Sequence, residues 1–243
     1  MLFTIAIAPV LIILFYIYFS DKYEREPIRL VIKGFLGGVF IIIPVIFVEQ
    51  FLGLLNIFEG SKIISAFYDA FVVAGFSEEL FKFLATVILF WRSKEFNEKF
   101  DGIVYAVSVS LGFACVENIM YVFAENSLNV GLLRAVTAVP AHAIFGVTMG
   151  YYLGLAKFKK DGKQSRYSSL AFVVPWMLHG LYDFFLMTGY NFMLLLFIPY
   201  VIYLYRVGFR YVRKHRSKSP FNPKNMKFLD EDSSDNDDDV NKA

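Results

Sequence analysis

Gly75-Phe76-Ser77-Glu78-Glu79-Leu80-Phe81-Lys82 sets three ionisable side chains inside an apolar run that extends from Ile63 to Trp91. A run of that length can cross a bilayer, which takes about 20 mostly apolar residues in a helix. An ionised group at the centre of such a helix costs at least about 2.5–3.5 kcal/mol. Either the run stays out of the membrane, or its charges meet partners within a bundle. The rest of the chain decides between the two.

On both sides of this run lie further stretches of the same kind, at 2–19, 34–55, 101–124, 132–156, 168–188 and 191–208. The chain is 57% hydrophobic and only 19% charged, below the quarter or so usual for a soluble domain. Its 28 Phe and 15 Tyr suit lipid-facing and interfacial surfaces. The runs are continuous rather than alternating, so helices are expected and not a barrel; in lipid a helix satisfies its own backbone. The expected fold is all-α, a polytopic bundle of about seven transmembrane helices forming one membrane-embedded domain over residues 1–212. Met1–Ser20 reads as an uncleaved span, because it lacks a basic leader and a small-residue cleavage site.

Basic residues alternate between the loops. Lys22, Arg25, Arg29 and Lys33 follow the first run, Arg92, Lys94 and Lys99 the third, and Lys157, Lys159, Lys160, Lys163 and Arg166 the fifth. The intervening loops hold little beyond Lys62 and Arg134. Positive charge stays cytoplasmic, so the N-terminus is expected outside and the C-terminus inside. Residues 213–243 read as a cytoplasmic tail, first basic and then acidic over Asp230–Asp239, with the self-repulsion expected of a disordered segment. Basic residues beside a final span orient it or meet anionic lipid, so no nucleic-acid partner is expected. A single cysteine, Cys115, excludes an internal disulfide.

The apolar runs carry Glu49, Glu78, Glu79, Lys82, Glu117, His142, His179 and Asp183. Counted from the basic-loop end at 1.5 Å per residue, Glu78 and Glu79 stand about 19 Å deep, His142 about 21 Å, His179 about 16 Å, Asp183 about 22 Å and Glu117 about 24 Å. Four helices thus contribute to one layer. Glu78 and Lys82 are four apart and share a helix face, as do His179 and Asp183. The adjacent Glu78 and Glu79 diverge by about 100°, so their roles must differ. Asn118 offers an amide to a ligand or an oxyanion. Glu49 is expected in a structural or cavity-edge role, and His215, among the basic residues of the tail, outside any site.

Two histidines with carboxylates match a catalytic zinc site, which typically has three protein ligands and one open position. A metal-free reading stays open, with a Glu–His pair activating water and the second His or Asn118 stabilising an oxyanion. The candidate catalytic residues are Glu78, Glu79, Lys82, Glu117 and Asn118. The candidate metal ligands are His142, His179 and Asp183, with Asp183 either ligating directly or orienting His179, and Glu117 a further option. No H-E-x-x-H motif is present.

Gly75–Lys82 resembles the E-E-x-x-K signature of PrsW-type intramembrane proteases. Phe113-Ala-Cys-Val-Glu117-Asn118, Ala141-His142 with Phe145-Gly146, and His179-Gly-Leu-Tyr-Asp183-Phe184 resemble that family's other motifs, in order on successive helices. The family is similar to the CAAX- and bacteriocin-processing proteases, whose pattern is E-E-x-x-x-R, F-x-x-x-H and H-x-x-x-N/D. Here Lys82 stands one residue earlier than the Arg, and Glu117 replaces the first His. The resemblance implies a peptidase of the cell membrane that cuts membrane-bound proteins, anti-sigma factors being the known type of target. The other class consistent with a buried Glu/His chain is a proton- or cation-coupled transporter, although neither an inverted repeat nor paired broken helices are evident.

Overall fold

The computed structural model describes residues 1–58 and 60–226. Within them the apolar runs become helices: α1 (Leu2–Ser20), α2 (Ile28–Leu54), α3 (Lys62–Tyr68), α4 (Ser77–Phe90), α5 (Lys99–Ala124), α6 (Leu128–Val136), α7 (Ala138–Phe158), α8 (Gln164–Met187) and α9 (Asn191–Ser217). Six runs are long and apolar enough to cross a membrane: α1, α2, α5, α6 with α7, α8 and α9. The seventh expected run, 63–91, is also helical as far as Phe90, but α3 and α4 are joined by a π-helical segment, Asp69–Phe76. All the spans expected from the sequence are thus helices of a polytopic bundle.

α5 and α7 form its centre: α7 is buried along most of its length, and α5 from Phe100 to Cys115. Small residues allow this. A Cβ on Gly150 would stand 2.1 Å from the Gly102 carbonyl oxygen, and one on Gly112 would stand 1.9 Å from that of Phe35 on α2. Only glycine lets backbones approach so closely, the usual device where lipid supplies no hydrophobic drive between helices. The outer helices turn side chains such as Phe47, Ile88 and Leu195 outward. This apolar surface is far more continuous than that of a soluble monomer.

The π segment positions the site. Trp176 of α8 donates its Nε1–H to the Phe71 carbonyl at 2.6 Å, and Gly180 packs under the Phe71 ring. Wider π turns often mark functional positions within helices. This one ends at the residue before Ser77-Glu78-Glu79.

At the basic-loop end, the link between α1 and α2 is pinned by buried carboxylates. Asp21 accepts from the Glu26 backbone N–H. Tyr105 donates its hydroxyl to Glu26. Asp101 accepts from the Asn97 and Glu98 backbones at 2.8 and 2.7 Å. Burial pushes the Asp21 and Glu26 carboxyls up to about 7, assisted by neighbouring acids. α9 continues past its expected exit at 208, so Arg213–Ser217 are helical. The acidic run 230–239 lies outside the described residues.

Candidate active site

Glu78, Glu79 and Lys82 stand in the first turns of α4. The Lys82 Nζ lies 2.9 Å from Glu78 Oε2, 2.8 Å from Glu79 Oε1 and 3.1 Å from His142 Nδ1. It also sits over the Phe113 ring at 4.3 Å. Lys82 and Glu79 are wholly buried. Adjacency on the helix separates the two glutamates, as expected: Glu78 lines a cavity, whereas Glu79 turns into the protein and is bonded to Lys82 and to His179 Nδ1 at 2.9 Å.

The histidines are arranged alike. Each presents Nδ1 to the glutamate pair: Glu78 Oε2 is 4.0 Å from that of His142 and 3.9 Å from that of His179. Each has its Nε2 on an outer carboxylate, Glu117 at 2.8 Å for His142 and Asp183 at 3.2 Å for His179. Phe145 stacks against the His179 ring. A carboxylate behind each imidazole fixes ring orientation and raises the basicity of the opposite nitrogen, the arrangement found behind metal-bound histidines. Lys82 donates to His142 Nδ1, so that nitrogen presents a lone pair to the centre. His179 Nδ1 bonds Glu79 Oε1; with the ring proton on Nε2, facing Asp183, that nitrogen would likewise offer a lone pair to a metal.

One donor atom from each of Glu78, Glu79, His142 and His179 falls in a group whose members all lie within 4.8 Å of one another. Glu79 Oε2 is buried and has no hydrogen-bond partner. Two imidazole nitrogens and two carboxylates, one of them with an unpartnered oxygen, fit a cation such as zinc. Asp183 stands on the far nitrogen of His179 and outside this group, the ring-orienting one of the two positions open to it, and Glu117 does the same behind His142. Both are therefore placed to orient rings.

The cavity is about 710 Å³ and is lined from several helices by Glu49, Asp69, Glu78, Glu117, Arg134, His142, His179 and Asp183, among apolar residues. Glu49 stands in its wall, at the cavity edge. Asn118 is not part of the lining. Its Nδ2 donates to the Ala6 carbonyl and its Oδ1 accepts from Arg134 Nε, both at 2.8 Å, so it ties α1 and α6 to α5. Glu117 and Asn118 are neighbours on a helix, and only one of them can face the cavity.

Arg134 borders a loop in the sequence, yet it stands at the site. Its Nη2 stands 2.9 Å from Glu117 Oε2, a close ion pair without hydrogen-bond geometry, and its guanidinium covers the Tyr121 ring at 4.0 Å. The available signal was an arginine flanked by Leu132-Leu133 and Ala135-Val136. His215 is buried elsewhere, donating to the Tyr151 carbonyl, and Cys115 lies in an apolar cluster with Leu111 and Val139.

Residues 26–206 match the family model described as PrsW family intramembrane metalloprotease. The chain belongs to that family. Among curated relatives, Protease PrsW of Clostridioides difficile is 42% identical over 90% of this chain and 92% of its own length. The Bacillus subtilis protein of the same name is 37% identical over 87% of this chain and 94% of its own. That of Oceanobacillus iheyensis is 39% identical over 83% and 90%. No solved structure matches. This PrsW family member is thus a multi-pass enzyme of the cell membrane that hydrolyses peptide bonds of membrane proteins, and the transporter alternative finds no support.

Proposed function

We propose that the chain is a zinc-dependent endopeptidase in which Glu78 is the general base and Glu79, His142 and His179 hold the metal. The observation that carries this reading is the paired presentation of both Nδ1 atoms to the Glu78–Glu79 pair, each ring backed by its own carboxylate. Glu78 is the glutamate of the pair that lines the cavity, where water and a peptide can reach it. It takes a proton from the attacking water and delivers it to the leaving amine as the C–N bond breaks. Glu79 stays in place, held by Lys82 and His179. Lys82 neutralises the carboxylate pair from beneath. Glu117 and Asp183 fix the rings, and Arg134 holds Glu117. A zinc ion at this centre would supply Lewis-acid polarisation of the scissile carbonyl.

The alternation of basic loops supports an N-terminus outside and a C-terminus inside. The cavity wall takes residues from the ends of α2, α5 and α8 and from α6, all remote from the basic loops. In this orientation a substrate enters from the outer side. The substrate class suggested by the resemblance is a membrane-anchored anti-sigma factor. The catalytic unit is residues 1–212, with 213–243 a cytoplasmic extension.

Cleavage of a membrane-anchored substrate in proteoliposomes tests the assignment. Glu78→Gln is expected to lower kcat by at least about a hundredfold, the scale of general-base catalysis, while the protein still binds one zinc per chain. Wild-type turnover by that variant would reject Glu78 as the base. Loss of zinc from it would make Glu78 a ligand instead.

A further inference from the structure

Helices α1, α7 and α9 enclose a second hollow on the lipid side of the bundle. It is an apolar cleft of about 340 Å³, walled by residues that include Ile13, Tyr16, Pro140, Ile144, Phe209 and Val212. It shares no wall residue with the active-site cavity. α7 turns one face to each: Ala141, His142 and Phe145 to the catalytic cavity, Pro140, Ile144 and Val147 to the cleft. The cleft is deep because Gly208 lets α9 approach Ile144; a Cβ there would stand 2.9 Å from Ile144 Cγ1.

Phe209 is also a wall of a neighbouring hollow, whose other walls include Arg206, Arg210, Arg213 and Lys214. These four are exposed, and none is paired with a carboxylate among the described residues. Positions 206, 210 and 213 follow helical spacing, so the charges form a stripe along α9. An apolar slot that shares the Phe209 wall with a cationic pocket fits an amphiphile with a hydrocarbon chain and a negative head. The bilayer supplies one, and basic pockets beside spans on the cytoplasmic side bind such heads.

We propose that this joined cleft and pocket is a binding site for one anionic glycerophospholipid, with an acyl chain between α1, α7 and α9 and its phosphate on Arg206, Arg210, Arg213 and Lys214. The site is independent of the catalytic assignment. Electrostatic attraction alone would place lipid phosphates near these residues; the adjoining cleft holds one molecule in register. The cleft closes against the face of α7 opposite His142, so an occupant braces the helix that carries a catalytic imidazole.

Native mass spectrometry of the purified full-length protein, titrated with phosphatidylglycerol or phosphatidylcholine, tests the proposal. Phosphatidylglycerol is expected to be retained at one molecule per chain with at least about tenfold preference, the scale expected of several basic residues acting together. The fourfold variant Arg206→Gln/Arg210→Gln/Arg213→Gln/Lys214→Gln should abolish the preference. Val136→Trp, at a largely exposed position on the cleft rim, should cut retention to the phosphatidylcholine level while proteolysis confirms folding. Equal retention of the two lipids, or unchanged phosphatidylglycerol retention in Val136→Trp, would overturn the proposal. So would a gain of more than about tenfold on neutralising the acids of 230–239 in the full chain, because that segment would then be the pocket's occupant.

Discussion

At the scale of single residues, the site depends on one buried cation. Lys82 has two carboxylate contacts below 3 Å and no exposure to solvent. Lys82→Met keeps the volume and removes the charge, leaving two glutamates beside each other without a counter-ion. A loss of about 3–5 kcal/mol is expected, as for breaking a buried pair by deleting one partner, and thermal unfolding in detergent measures it. The outer carboxylates are subtler. Glu117→Gln leaves the His142 ring in place with a weaker partner, and zinc affinity is expected to fall by about 10–100-fold; competition with a chelating dye reads that change. Which residues would gather was legible in the sequence, because no charge can be left alone in lipid. Which atom each turns to the centre was not. Asn118 and Glu117 differ by one position and point apart, and Arg134 looked like a loop charge because its partner lies 17 residues away on another helix.

At the scale of elements, the spans were legible from hydropathy, but their interiors were not. The 63–91 stretch reads as one uniform helix, yet the π segment lies within it. That shift follows from tertiary packing, with Trp176 claiming the Phe71 carbonyl and Gly180 admitting the Phe71 ring. No local pattern announces it. In the sequence the α1–α2 link stands out by its basic residues, yet its acids Asp21 and Glu26 form the better-buried half. Glu26 keeps its proton up to about pH 7 when folded, against an ordinary value of 4.5. The folded state therefore binds the extra proton between those values. Stability from this group is complete below about pH 4.5 and declines as pH rises to about 7. Glu26→Gln is expected to flatten that part of the Tm-versus-pH curve and to raise Tm above pH 7. A variant whose slope matches the wild type would show that other groups set it.

At the scale of the whole molecule, two hollows of opposite character share α7. The catalytic cavity gathers acids and imidazoles from α4, α5, α7 and α8, and the lipid-side cleft is apolar and shares Phe209 with the hollow walled by the arginines of α9. The close-packed α5–α7 pair lies at the centre, so the helices that carry Glu117 and His142 are held where little can move. The motifs in register led to the family because each of the four supplies a side chain to one cluster. The metal centre itself is the claim on which catalysis turns, and counting zinc in the purified full-length protein tests it most directly. One zinc per chain is expected in the wild type, and less than about a tenth of that in the His142→Ala/His179→Ala variant, because zinc sites seldom survive the loss of two ligands. Zinc retained at full stoichiometry by that variant, or absent from an active wild-type enzyme, would contradict the account.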